Sequence, residues 1–119
     1  MSSLARGAET HGPVVRLLSF KVPVRTQGDF LAEFDSLVSA MRLARGFLGE
    51  ETFIGGRNPR HVVLLSAWSS KRLCEGFFAA AEAPSTRKRL VFRYLEEAEF
   101  FRSRKAAALV FRAAGARAT

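Results

Sequence analysis

The stretch FLGEETFIGGRNPRHVVLLSAWSS, residues 47–70, decides the fold of this chain. Its centre, GGRNP at residues 55–59, is dense in turn-forming residues, because glycine permits positive φ and proline presets φ near about −65°. Short apolar runs rich in β-branched residues lie on both sides of this turn. The stretch therefore predicts a β-hairpin that closes on the single tryptophan of the chain, Trp68.

The second run of the hairpin, HVVLLSAW at residues 61–68, is apolar on both pleat faces. Successive side chains of a strand point to opposite faces, so Ser66 and Trp68 share one face with Val62 and Leu64. A strand that is apolar on both faces is buried on both faces. We therefore expect helices over one face of the sheet and a further layer, such as a second sheet, over the other.

Before the hairpin, VVRLLSFKVPV at residues 14–24 predicts a first strand that ends near Pro23, because proline has no N–H to donate to a ladder. Asp29 is the expected N-cap of a first helix, and Gly46 is the expected C′ residue. One helical stripe of apolar side chains follows the cap. It comprises Phe30, Phe34, Leu37, Val38 and Met41.

After the hairpin, Ser69 or Ser70 is expected to cap a second helix, which Pro84 ends or kinks. Its apolar stripe comprises Leu73, Cys74, Phe77, Phe78 and Ala81. Residues 95–101 (LEEAEFF) fit a helix by propensity and a fourth strand by architecture, and we predict the strand, preceded by a short helical turn. For the alanine-rich tail, residues 105–119, a short helix and disorder are both open, and residues 1–12 are expected to be a disordered lead.

Length and composition predict one globular domain, here assigned to residues 13–104. No apolar run is long enough for a membrane span, and the amino-terminal residues lack the apolar core of a secretory signal. A single cysteine excludes an internal disulfide and favours a cytoplasmic location. The formal net charge of +8 is scattered along the chain, which favours a solvated surface over a nucleic-acid interface.

The element order β-α-β-β-α-β predicts a ferredoxin-like α+β fold, in which an antiparallel sheet carries two helices on one face. The first and third strands are mainly aliphatic, and no RNA-recognition signature of the basic-Gly-aromatic type is present. An aliphatic sheet face is suited to packing on another sheet. We therefore predict a homodimer that buries the sheet face bearing these two strands.

At this point the chain resembles the antibiotic biosynthesis monooxygenase family, of the dimeric α+β barrel group. The resemblance rests on VVRLLSFKVPV, on ARGFLGEE at the end of the first helix, on the strand HVVLLSAW, and on the helix start SSKRL. It covers roughly residues 14–102. It implies a dimeric α+β barrel and, in some members, oxidation of aromatic polyketide phenols to quinones without a cofactor; other members degrade heme.

Carried over residue by residue, the resemblance matches Trp68 to the tryptophan that ends the third strand in the quinone-forming members. Their asparagine falls on Leu64, their tyrosine on Cys74, and their arginine near Arg87. In the heme-degrading members the helix tryptophan matches Phe77 and the axial histidine matches Arg87, so histidine-ligated heme is not expected. The resemblance thus implies a small aromatic ligand and no cofactor.

No carboxylate pair, metal-ligand cluster, phosphate loop or Ser-His-Asp set is visible in the sequence. The candidate pocket residues are Trp68, Ser66, Phe77, Phe78, Arg16 and Arg87, each of which also has a plain structural interpretation. Arg16 can anchor an anionic ligand or pair with Glu50 or Glu51. If the chain is an oxygenase, Trp68 lines a ligand cavity beside Ser66 and Phe77; the other hypothesis is a binding or assembly protein without catalysis.

Overall fold

In the computed structural model, which describes residues 12–85 and 89–102, four strands form one antiparallel sheet in the order β2-β3-β1-β4. The strands are β1 Val14–Lys21, β2 Phe47–Ile54, β3 His61–Trp68 and β4 Leu95–Phe101. The helices are α1 Gln27–Arg42, α2 Lys71–Ala81 and the four-residue α3 Arg89–Phe92. The predicted element order is confirmed, including a fourth strand that follows a short helical turn.

The hairpin that organises the chain pairs β2 with β3 from Ile54 opposite Val62 to Phe47 opposite Trp68. Its turn is closed by a hydrogen bond in which the Gly55 N–H donates to the His61 carbonyl at 2.8 Å. A side chain at Gly55 would collide with the backbone carbonyl of Asn58. Glycine at this position is therefore required by the close approach of the two backbones.

The first strand ends at Lys21, earlier than the predicted boundary at Val24. The Val22 N–H still donates to the Arg60 carbonyl at 2.9 Å, but Pro23 has no N–H, and the chain turns through a short 3-10 segment, Val24–Thr26. That turn leads directly into α1 at Gln27. Asp29 was expected as the N-cap and instead lies in the first turn, where a carboxylate also suits the helix dipole.

All five residues of the predicted α1 stripe are buried. Gly46 has a φ of +87°, as a helix-ending glycine would, but α1 already ends at Arg42 with Leu43 as its C-cap. Gly46 instead lies so close to the Leu73 side chain of α2 that a Cβ at this position would collide with it. The Gly46 carbonyl accepts a hydrogen bond from the Ser69 N–H at 2.7 Å. Gly46 therefore joins the start of β2 to the start of α2.

The second helix begins as predicted, because the Ser70 hydroxyl oxygen accepts from the Leu73 N–H at 3.2 Å. Both long helices pack on the same face of the sheet. This helix face of the sheet carries the main core, and its sheet side chains are Val14, Leu18, Phe20, Val62, Leu64 and Trp68. The prediction of two helices on one sheet face is confirmed.

The opposite face of the sheet, here called the open face, is covered by no helix of residues 12–85 and 89–102. Its centre is a small apolar cluster in which Val15 and Ala67 are buried and contact Leu48 and Leu65. His61 also lies on this face, and its Nε2 is 2.8 Å from the Ser19 hydroxyl oxygen. The tail at 105–119, most of the lead, and Arg87 lie outside the described residues. None of the described helices is long and apolar enough to cross a membrane.

Candidate small-molecule site

A single row of side chains crosses the helix face of the sheet from β4 to β2. Phe100 is opposite Arg16, Arg16 is opposite Ser66, and Ser66 is opposite Glu50. Each strand contributes one residue because the antiparallel registers align these four positions. The row therefore places a cation, a hydroxyl and a carboxylate beneath the helices of an otherwise apolar layer.

Arg16 has a donor without a hydrogen-bond partner in the described part of the chain. Its Cζ lies 4.2 Å from the centroid of the Phe100 ring, and its Nε is buried without a hydrogen-bond partner. Glu50, a predicted partner, instead accepts a 2.9 Å hydrogen bond from Nη2 of Arg42 on α1. Within residues 12–85 and 89–102 Arg16 takes part in neither of the two ion pairs. The anchoring of an anionic ligand by Arg16, one of the two roles that the sequence left open, stays a prediction.

A second cation and a neutral thiol lie close to Arg16. The Lys71 Nζ is 5.1 Å from the centroid of the same Phe100 ring. Burial raises the pKa of the Cys74 thiol to about 12, although the neighbouring Arg16 charge acts in the opposite direction. Cys74 is therefore uncharged at neutral pH and cannot serve as the counter-ion of Arg16.

Arg16 forms part of the wall of a cavity of about 480 Å³. The other lining residues come from the second half of α2 and the loop after it: Glu75, Phe78, Ala79, Glu82, Ala83 and Pro84. Phe78 is buried, whereas Glu75 and Glu82 are exposed. The cavity thus has an apolar aromatic wall, a cation on the sheet side and two carboxylates among its water-exposed lining residues.

Trp68 and Ser66 lie on the helix face of the sheet, and Phe77 packs against the indole from α2. The Trp68 side chain is 0% exposed, and its indole Nε1–H donates to the Ser66 hydroxyl oxygen at 2.9 Å. The indole centroid lies 5.4 Å from the Phe77 ring and 5.9 Å from the Phe78 ring. Trp68 therefore contacts Phe78, a lining residue of the cavity, from the core side, and its direct contact with a ligand stays a prediction.

The two phenylalanines of α2 separate. Phe78 lines the cavity beside Arg16, whereas Phe77 borders a separate cavity of about 370 Å³ between α2 and the loop after α1. That outer cavity is lined by Ala44, Arg45, Arg72, Leu73, Gly76 and Phe77. The candidate residues Arg16 and Phe78 are therefore brought together, and Phe77 faces a different space.

Two positions that the resemblance equates with hydrogen-bonding residues are apolar or neutral here. Leu64 and Cys74 are both 0% exposed and belong to the main core. Among the described residues, no group of three His, Cys, Asp or Glu side chains is placed to hold a metal ion. Polar chemistry in this layer therefore depends on the row containing Arg16, Ser66 and Glu50.

Sequence reasoning missed Phe100 and Lys71. Phe100 lies in the segment whose helix-or-strand assignment was open, and its position opposite Arg16 depends on the register between β1 and β4. Lys71 is the first residue of α2, where a cation carries no distinctive signal. The alternation of β4 could have placed Phe100 on the helix face, but only after the strand had been paired with β1.

No protein-family model matches the sequence, and no curated protein matches it either. Solved structures do match the fold. SnoaB, a cofactor-independent oxygenase from Streptomyces nogalater, is 17% identical over 78% of this chain and 94% of that chain, with a TM-score of 0.66. A conserved protein from Methanosarcina mazei Go1 is 13% identical, over 82% and 99%, with a TM-score of 0.65.

A structure described as an antibiotic biosynthesis monooxygenase is 14% identical, over 74% of this chain and 93% of that chain, with a TM-score of 0.60. The resemblance to antibiotic biosynthesis monooxygenases is thus confirmed for the fold. At these identities the likeness carries the ferredoxin-like architecture alone, and the activity must be argued from the site.

Proposed function

We propose that this chain is a cofactor-independent monooxygenase that oxidises an electron-rich aromatic molecule of the polyketide-phenol type. The ligand occupies the cavity between the sheet and α2. The observation that carries the proposal is the position of Arg16, a cation in the wall of a cavity that the Phe78 ring also lines. The fold it shares with SnoaB, a cofactor-independent oxygenase, supports the same reaction class.

The chemistry needs an anion in a dry site. A phenol has a pKa near about 10, and a nearby cation lowers that pKa by favouring the charged form. Arg16 supplies the positive charge, Phe78 supplies an apolar wall, and the exposed carboxylate of Glu75 or Glu82 can accept the proton. The anion is a better electron donor to oxygen than the neutral phenol is.

The overall reaction balances without a further reductant. One dioxygen molecule removes four electrons from a substrate CH₂ group that is conjugated to the phenol. One oxygen atom forms the new ketone, and the other leaves as water with the two hydrogens of that carbon. The protein holds and orients the anion, while the substrate supplies every electron.

A second function, ligand binding without turnover, is favoured by one observation. Leu64 and Cys74, at the positions that the resemblance equates with asparagine and tyrosine, are fully buried and offer no charged or amide group. If those groups are indispensable for oxygenation on this fold, the chain keeps the cavity and lacks the reaction.

An oxygen electrode separates the two functions. We expect dioxygen uptake when the purified chain is mixed with anthrone or a hydroxyanthrone, with one quinone formed per dioxygen consumed. Arg16→Gln should lower the rate by about tenfold or more, because a desolvated cation contributes that much to holding an anion. Lys21→Gln is the matched control, since it removes one positive charge from an exposed side chain on β1. Tight binding of these anthrones with no uptake above the buffer rate would instead support the binding protein.

We also propose that two chains associate through the open face. The open face presents Val15, Ala67, Leu48 and Leu65 as an apolar cluster. Leu65→Glu should convert the dimer to a folded monomer, as measured by light scattering with circular dichroism. Leu43→Glu, at a residue that is 90% exposed, is the control and should leave the dimer intact. A wild-type chain that is monomeric at micromolar concentration would refute this association.

A further inference from the structure

We infer that the outer cavity, between α2 and the loop after α1, binds an aryl phosphate, a molecule that joins a flat apolar ring to a phosphate monoester. This site is separate from the cavity that contains Arg16, and it does not rest on the proposed oxygenase. Three observations carry the inference: two arginines without acidic partners, an aromatic ring fixed in the same cavity, and a glycine that leaves the cavity open.

The described lining of the outer cavity carries two cations and no carboxylate. Arg45 comes from the loop after α1, and Arg72 comes from the first turn of α2. Neither arginine forms an ion pair with any residue that the structure describes. Glu75, three residues after Arg72, lines the Arg16 cavity instead. Two guanidiniums without a local counter-charge favour a phosphate monoester, which carries a charge of about −1.5 to −2 near neutral pH.

The loop that carries Arg45 is held against the start of α2. The Gly46 carbonyl accepts a hydrogen bond from the Ser69 N–H at 2.7 Å. A Cβ at Gly46 would collide with the Leu73 side chain, so the backbone of the loop packs directly on the helix. The backbone of Arg45 is therefore fixed relative to that of Arg72. An anion that binds both arginines needs to order only their side chains, which keeps the entropic cost of binding low.

Phe77 supplies an apolar surface in the same cavity. Its ring lies 5.4 Å from the Trp68 indole and 5.1 Å from the Phe78 ring, measured between centroids, so the core fixes its position. The side chain is only half-buried, which leaves part of the ring at the cavity. Aromatic rings pair favourably in offset-stacked or edge-to-face geometry. Phe77 therefore suits the flat apolar part of the ligand, while the two arginines suit its phosphate.

Gly76, in the middle of α2, lines the outer cavity and keeps it open. A Cβ added at this position would meet no neighbouring element within 4 Å, and the backbone φ is not positive. Neither close packing nor backbone conformation therefore requires a glycine here, although glycine within a helix is less favourable than alanine. A larger side chain would occupy the space beside Phe77. Ligand binding thus supplies a reason for the glycine that the packing of α2 does not.

Titration calorimetry with matched ligands tests the inference. The probes are phenyl phosphate, phenyl sulfate, benzyl alcohol and inorganic phosphate, because together they vary the charge and the ring. Phenyl phosphate should bind at least about threefold more tightly than each of the other three. Equal affinity for phenyl phosphate and phenyl sulfate would overturn the assignment of a phosphate, and equal affinity for phenyl phosphate and inorganic phosphate would overturn the assignment of an aryl group.

Three variants of charge locate the phosphate. Arg45→Gln and Arg72→Gln should each weaken the binding of phenyl phosphate at least about threefold. Arg57→Gln is the matched control, since it removes the same charge from an exposed residue of the hairpin turn, and it should leave the affinity unchanged. Unchanged affinity in both Arg45→Gln and Arg72→Gln would refute the site.

Two variants of size locate the ring. Gly76→Leu should abolish the binding of phenyl phosphate because the new side chain fills the cavity, while the charges stay and leucine favours the helix more than glycine does. Ala80→Leu is the matched control and should bind normally, since Ala80 is exposed on the same helix and lines neither this cavity nor the Arg16 cavity. Full affinity in Gly76→Leu would place the ligand outside the outer cavity and overturn the inference.

Arg16→Gln separates the two cavities. The affinity for phenyl phosphate should be unchanged in this variant, because Arg16 lines only the other cavity. A loss of affinity in Arg16→Gln that Arg45→Gln does not reproduce would place the anion in the Arg16 cavity and refute the assignment. Oxygen uptake with anthrone, or its absence, decides the proposed function alone and leaves the outer site to be judged by these affinities.

Discussion

The two long helices pack on the same face of the sheet, but the side chains that lie beneath them differ. Beneath α1, Phe20, Phe30 and Phe34 form a closed aromatic cluster, with centroid distances of 5.4 to 6.0 Å, and Phe30 is 0% exposed. Beneath α2, the aromatic cluster around Trp68 adjoins Arg16 and a cavity of about 480 Å³.

The difference shows how one fold divides stability from function. The α1 half is filled by apolar rings, as a close-packed core requires. The α2 half instead contains a cation, Arg16, in the wall of a cavity. We therefore expect substitutions under α1 to change stability alone, and substitutions beside the cavity to change ligand binding.

Phe30→Ala should have the largest effect. Removal of a fully buried ring from the α1 half should lower the free energy of unfolding by about 3–5 kcal/mol, measured by chemical denaturation. Leu31→Ala on the same helix, where the side chain is 41% exposed, is the matched control and should change the stability far less. A similar loss in both variants would mean that burial of the Phe30 ring is not what stabilises α1, since alanine favours the helix at both positions.

Trp68→Phe should have the next largest effect. It tests whether Trp68 contacts the ligand directly or only packs in the core. The variant removes indole volume and the hydrogen bond to Ser66, so we expect a loss of about 2–3 kcal/mol. Affinity for anthrone should change by less than about threefold if Phe78 screens the indole from the ligand. A tenfold weaker affinity in a folded variant would make Trp68 a direct wall of the ligand site.

Cys74 predicts a fall in stability at alkaline pH. The folded thiol has a pKa of about 12, above the value of 9.0 for a free thiol, so above pH 9.0 the folded chain retains a proton that the unfolded chain releases. Stability from this group is complete below pH 9.0 and declines toward pH 12, by up to about 1.4 kcal/mol per pH unit. Denaturation curves of the wild type and Cys74→Ala, compared across that range, isolate the contribution. Parallel pH dependence in the two proteins would contradict it.

Ser70→Ala should give the smallest effect and compares the two helix starts. The Ser70 hydroxyl oxygen caps α2, so its loss should cost about 1 kcal/mol. The equivalent change at α1, Thr26→Ala, should cost less, because Thr26 makes no side-chain capping bond and its hydroxyl donates to the Pro23 carbonyl instead. Equal losses would indicate that capping does not distinguish the two helices.

The sequence by itself determined the elements that depend on near neighbours. The periodicity of the α1 stripe, the turn chemistry around Gly55 and the cap at Ser70 act within a few residues, so each could be predicted locally. The β-hairpin is also a local feature, because its short turn joins two consecutive strands. The start of α1 was predicted less accurately. Asp29 was expected as the N-cap because its side chain can cap a helix, whereas no local pattern in the sequence indicated the 3-10 turn that starts the helix earlier.

The tertiary structure decided the candidate site. Arg16 was visible as an odd charge in an apolar strand, but its neighbours Phe100 and Ser66 come from β4 and β3, which are distant in sequence. A shift of one residue in either register would move those side chains to the other face. Long-range strand pairing, and not any local pattern, therefore placed the cation against a ring, left its Nε without an acceptor, and opened a cavity beside it.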